Sequence, residues 1–159
     1  MAGTVRAHQY DCRLVWTGAA RGPAKTYAAY SREYEVAFPG KPTLTGSADR
    51  TFRGDPALHN PEDMLVAALA SCHCLSYLAL TSRSGIEVVA YEDLATGTME
   101  ERLGKGRFTL VVLRPKVTIA AGGDVEKARA LHEQAHEDCF IASSVNFPVR
   151  NEPSILLLA

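Results

Sequence analysis

Thiols and imidazoles dominate the residues of this chain that could carry chemistry. Cys72, His73 and Cys74 are consecutive, and His132-Glu133-Gln134-Ala135-His136 runs on towards Cys139. A thiolate is a nucleophile, a metal ligand and a redox centre, whereas a buried thiol is only a small apolar side chain. Residues i and i+2 of a helix face nearly opposite sides, so Cys72 and Cys74 cannot share one ion unless the helix breaks. Two histidines one turn apart with an intervening Glu match the H-E-x-x-H pattern of zinc peptidases. The extended signature is missing, because Glu137-Asp138-Cys139-Phe140 follows His136, and only Glu137, Asp138 and Glu152 remain as acidic third ligands. A solvated His/Glu face is expected there, with no metal site. Cys72 and Cys139 each fall on an apolar stripe, in different helices that could meet. On residue type alone, packing and reactivity both stay open for these two.

The elements that must position them follow from patterning. Val5 to Trp16 and Thr26 to Phe38 mix apolar and polar residues at short range around Gly18, Gly22 and Pro23, which predicts an antiparallel hairpin. A short strand is expected near Thr43 to Gly46. Asn60 is a good N-cap, Pro61 suits the first helical position, and Glu62 and Asp63 suit the positive end of the helix dipole. Good helix formers run from Met64 to Leu80, and Gly85 stops the helix. Its nearly all-round apolar surface predicts a buried, central helix.

Two strands are expected next, Val88 to Met99 and Arg107 to Ile119, around a turn at Gly104-Lys105-Gly106. Asp124 caps a second helix whose inward stripe is Val125, Ala128, Leu131 and Ala135, reaching Cys139. Ser154 to Leu158 reads as a final strand. This order is α+β.

Composition narrows the class. The 159 residues suit one domain, 1–159, and 47% apolar with 22% charged residues is an ordinary globular balance. A net charge of −1 with mixed signs argues against nucleic-acid or anionic-membrane partners. The first eight residues lack the apolar stretch of a signal peptide, and the longest apolar run, Met64 to Ala70, is short against the ~20 residues of a bilayer span. A soluble cytoplasmic protein is expected, in which Cys12, Cys72, Cys74 and Cys139 are not a structural disulfide framework.

Over Asn60-Pro61-Glu62 and the small-residue helix that carries Cys72 twelve positions after the Asn, the sequence resembles the OsmC/Ohr family: osmotically inducible protein C and the organic hydroperoxide resistance proteins. His-Glu-Asp-Cys139 matches the place of that family's second cysteine, and Trp16-x-Gly18 and the element order agree. The resemblance implies an OsmC-like fold of antiparallel sheets with two main helices, in an intertwined homodimer with its sites at the subunit interface. It implies that Cys72 attacks an organic hydroperoxide, that Cys139 resolves the resulting sulfenic acid as a disulfide, and that an external dithiol reduces it, with no cofactor. The family also holds an Arg with the Glu of Asn-Pro-Glu, here Glu62. Ten helical residues put Glu62 about 15 Å along the axis from Cys72, so Glu62 is expected to act across a dimer interface or through a bridging Arg. One branch of the family has its Arg just before Phe-x-Gly, where Thr51 precedes Phe52-Arg53-Gly54; the other has it in the loop where Arg21 stands. Arg53 is favoured, with Arg50, Arg21 and Arg32 as alternatives. Phe140 follows Cys139 where the family has Cys-Pro, and Cys12 and Cys74, without counterparts, are read as packing. Leu69, Leu75, Tyr77 and Phe140 are expected to line an apolar pocket. A non-catalytic redox-sensing or ligand-binding relative is the alternative function.

Overall fold

The computed structural model describes residues 5–159; the opening residues 1–4, part of the segment read for a signal peptide, lie outside it. The chain divides into two compact units between Asp63 and Met64.

In the first unit, β1 (Arg13–Trp16), β2 (Tyr34–Ala37) and β3 (Leu44–Gly46) form an antiparallel sheet in the order β1-β2-β3. The hairpin is shorter than the expected Val5 to Trp16 and Thr26 to Phe38. Residues 26–32 leave the ladder because the Arg32 guanidinium gathers them: it donates to the carbonyls of Tyr27 and Tyr30 and lies 3.9 Å from the Tyr30 ring centroid. The Trp16 indole N–H donates to Ser31 O at 2.7 Å, and Arg21 pairs with Glu33 at 2.9 Å, so side chains close the loop where backbone pairing stops. The helix start is as expected: Asn60 Oδ1 accepts from Asp63 N at 2.7 Å, and Asp63 Oδ2 accepts in return from Asn60 N.

Helix α1 (Pro61–Arg83) carries the chain into the second unit and ends at Gly85, whose φ of 74° is the left-handed conformation a glycine C-cap supplies. By length and composition α1 could cross a membrane. Here only one stripe of it, Leu69, His73, Tyr77 and Thr81, is buried, and these residues are four apart. The expectation of all-round burial is therefore corrected: Leu75 is 68% exposed.

The two long strands expected after α1 are four. β4 (Val88–Asp93) pairs with β7 (Pro115–Ile119), and β5 (Thr96–Arg102) pairs with β6 (Lys105–Leu113). Both ribbons break at one level, because Pro115 has no N–H to continue the ladder and the Arg114 N–H turns to Asp93 Oδ1 at 2.7 Å. Two further strands, β8 (Val149–Asn151) and β9 (Ser154–Leu157), add in parallel to β6 and β7. The two sheets of this unit, β4-β7-β9 and β5-β6-β8, are thus mixed rather than purely antiparallel.

Helix α2 (Val125–Glu137) begins at Asp124, which accepts from Lys127 N at 2.9 Å. Its buried residues are Ala128, His132 and Ala135. The core joins Tyr77 of α1 to Val117, Ile119 and Ile155 of the sheet and to Ala128 and Ala135 of α2.

Candidate active site

Cys72 lies on α1 one residue before the buried stripe and is half-buried. Cys139 lies just past the end of α2, on the line of Ala128, His132 and Ala135, and is 1% exposed. The two thiols are neighbours, near enough for Cys72 to perturb the titration of Cys139. Burial, with the neighbouring Cys72 thiol, pushes the Cys139 thiol up to about 11, although the Ala142 N–H donates to its sulfur at 3.4 Å. The sulfurs are not bonded to each other. With a half-exposed and a buried thiol as neighbours, Cys72 is the sulfur more open to a small solute.

Beside them lies a feature the sequence reading missed. His73 Nε2 and His132 Nδ1 are 2.9 Å apart, both side chains are fully buried, and the His132 ring stacks on Tyr77 with centroids 3.8 Å apart. The expected solvated His/Glu face is thereby corrected: Glu133 is exposed, but His132 falls three or four residues from Ala128 and Ala135, on the inward side. Burial disfavours the charged imidazole and lowers His73 to about 4 and His132 to about 3, so both are neutral near pH 7 and one hydrogen joins them. His73 uses the His132 nitrogen facing it, and among the described residues no three His, Cys, Asp or Glu side chains gather as a metal set. The H-E-x-x-H pattern is thus spent on helix packing.

The other thiols differ. Burial and the nearby Asp93 carboxylate raise Cys74, which is half-buried, in keeping with a packing role. Cys12 is exposed, which corrects its reading as a packing residue.

The arginine candidates and Glu62 belong to the first unit. A cavity of about 340 Å³ is lined by the aromatic rings of Trp16, Tyr30, Tyr34 and Phe52, with Arg32 and Glu62 on its wall. Glu62 Oε2, Tyr34 Oη and Arg32 Nε are buried there without a hydrogen-bond partner among the described residues. Burial, then the Glu62 charge, raises the Tyr34 hydroxyl. Arg53 lies instead in a polar groove with Arg21, Glu33 and Asp55, and is exposed, at a φ of 68°. Arg50 is exposed and Arg21 is taken by Glu33. The expected apolar lining is also corrected. Leu69 and Tyr77 are consumed in core clusters, while Leu75 and Phe140 are exposed, Phe140 by 80%. Alternating aromatics at Tyr30 and Tyr34, next to Trp16 and Phe52, were the available signal for the cavity that does form.

The family model for OsmC-like proteins matches residues 54–153. The chain belongs to the OsmC-like family. An OsmC-like protein of unknown function from Vibrio cholerae has the same fold at a TM-score of 0.83, with 32% identity over 93% of this chain and all of that one. The uncharacterized protein YmaD of Bacillus subtilis is 28% identical over 103 residues, which is 62% of this chain and 69% of its own. An organic hydroperoxide resistance protein OsmC from Legionella pneumophila shares the fold at a TM-score of 0.65 and 17% identity, over 96% of this chain and 99% of that one. The α+β architecture and two main helices expected from the sequence are those of this OsmC-like fold, which is typically soluble.

Proposed function

We propose that this OsmC-like protein is a cytoplasmic thiol peroxidase that reduces organic hydroperoxides to alcohols in oxidative-stress defence. The observation that carries the reading is that the Cys72 thiol of α1 neighbours the buried Cys139 thiol just past the end of α2. The Cys72 thiolate attacks the terminal peroxide oxygen, the O–O bond breaks, and the alkoxide takes a proton and leaves as the alcohol. Cys72 is then a sulfenic acid. The Cys139 sulfur attacks the Cys72 sulfur, the S–O bond breaks, and the hydroxyl leaves with the Cys139 proton as water. An external dithiol reduces the disulfide by exchange.

The roles divide by environment. A thiol pushed up to about 11 stays protonated near neutral pH and is a poor first nucleophile, which supports Cys139 as the resolving partner. Cys72 is the more open of the two. A buried thiolate needs a cation, and Glu62 with an arginine is its source in this proposal. Arg53 is the candidate by motif position. Arg32 is the better supported one, because it shares a cavity with the unpartnered Glu62 carboxylate. The helix spacing of about 15 Å between Glu62 and Cys72 supports an intertwined homodimer as the active form. A fully active monomer would remove that part.

Consumption of an organic hydroperoxide with excess dithiol tests the reading. Wild type turns over, and Cys72→Ser and Cys139→Ser do not, though Cys139→Ser still forms one sulfenic acid. Equal rates for wild type and Cys72→Ser would sink it. A second reading, a non-catalytic ligand-binding or redox-sensing protein, is favoured by the aromatic cavity around Glu62. It expects saturable binding of an apolar ligand that Glu62→Gln weakens, with no peroxide turnover.

A further inference from the structure

Three hydrogen bonds tie α1 and the turn that ends it to α2 in antiparallel order. His73 meets His132, the Tyr77 hydroxyl donates to Ala128 O at 3.0 Å, and Lys127 Nζ donates to Ser84 O at 2.8 Å, while the Cys72 thiol neighbours Cys139. The histidine contact is next to the thiols: His73 follows Cys72 directly, and His132 lies two helical turns before Cys139 on the same inward line. Two imidazoles joined end to end span the gap between the helices. Stacking of His132 on Tyr77 fixes the tilt of that bridge. His73 Nδ1 and His132 Nε2, the outer nitrogens, have no partner among the described residues, so the bond between the rings is the polar contact that each ring gains for its burial.

We propose that His73 and His132 are positioning residues whose mutual hydrogen bond holds Cys72 and Cys139 at the separation needed for disulfide closure. The inference rests on the peroxidase reading of the two cysteines and adds how the second step is made fast. A disulfide demands a Cβ–Cβ distance of about 3.5–4.5 Å, and a misplacement of an ångström costs orders of magnitude in rate. Van der Waals contact between helices tolerates sliding, whereas a directional bond of 2.9 Å does not. Neither histidine touches the peroxide in this scheme. Closure remains attack of the Cys139 sulfur on the Cys72 sulfenic acid, with water as the product.

The experiment separates the two steps. Fully reduced protein receives one equivalent of tert-butyl hydroperoxide; sulfenic acid is trapped with a cyclic diketone, and disulfide is followed as thiol loss and mapped by mass spectrometry. His73→Leu and His132→Leu remove the bond. His73→Gln keeps a polar atom at the place of Nε2, and the paired change His73→Phe with His132→Phe fills the space without bond or orphaned nitrogen. The expected result is closure slowed about tenfold or more in the Leu variants and the Phe pair, with sulfenic acid forming at the wild-type rate. His73→Gln restores most of the closure rate. The disulfide also becomes easier to reduce, by about 30 mV for each tenfold loss of effective concentration. A folded Phe pair that closes at the wild-type rate, at the wild-type potential, overturns the proposal. A wild type that forms no Cys72–Cys139 disulfide removes the peroxidase reading itself and is told apart by that result alone.

Discussion

Acidification should unfold this protein through two side chains that never see solvent. His73 and His132 are held neutral, lowered to about 4 and about 3 by burial, while an unfolded histidine titrates near 6.5. Between those values the unfolded chain binds protons that the folded chain refuses, so stability falls as pH falls. From pH 8 to pH 5, each imidazole withdraws roughly 2 kcal/mol, at about 1.4 kcal/mol per pH unit below the unfolded pKa, and the pair roughly 4 kcal/mol. That is a large share of a marginal folding free energy of about 5–15 kcal/mol. Asp93 acts in the opposite direction: burial raises its carboxyl, so its penalty is relieved as pH falls. The comparison with the His73→Phe, His132→Phe pair cancels that contribution and those of the remaining histidines. Urea denaturation at half-unit steps from pH 5 to pH 8, at one protein concentration, reads the effect. The wild-type curve should drop about 4 kcal/mol more than the variant's, and most steeply below pH 6.5. Parallel curves would refute the reasoning, because they would mean the rings are charged or exposed.

Other outcomes follow from single contacts. The rate of disulfide closure should rise with pH above neutrality, as Cys139 thiolate appears, because burial raises that thiol; a flat profile in stopped-flow thiol loss contradicts the assigned order of attack. Arg32→Lys should slow sulfenic acid formation about tenfold or more, since an ammonium lacks the guanidinium's planar fork, and Arg53→Lys should leave that step near wild type. The reverse ranking would favour the motif position over the cavity. Tyr77→Phe removes a buried hydroxyl bonded to Ala128 O and should cost about 1 kcal/mol in urea denaturation. Gly54→Ala should cost about 2 kcal/mol or more by the same assay, because a Cβ there would overlap the Ala48 carbonyl oxygen.

Local signals in the sequence determined the parts of this fold that local forces decide. Asn60 and Asp124 capped the two helices, Gly85 ended the first, and the spacing from Asn60 to Cys72 carried the family. These features depend on backbone groups within a few residues, which a linear reading sees. Pro115 was a legible break that went unused, because its missing N–H matters only when a partner strand is named. Other features needed the tertiary structure. His132 was assigned to water by its polarity, and only a second imidazole 59 residues away, on another helix, made its burial tolerable. Arg32 was one of four loop arginines until its guanidinium gathered the Tyr27 and Tyr30 carbonyls and entered the cavity of Glu62. Cys72 and Cys139, 67 positions apart, carried even-handed readings as packing or reactive residues until two antiparallel helices made them neighbours. Polar burial and thiol pairing are properties of two distant segments at once, so no window along one segment could decide them.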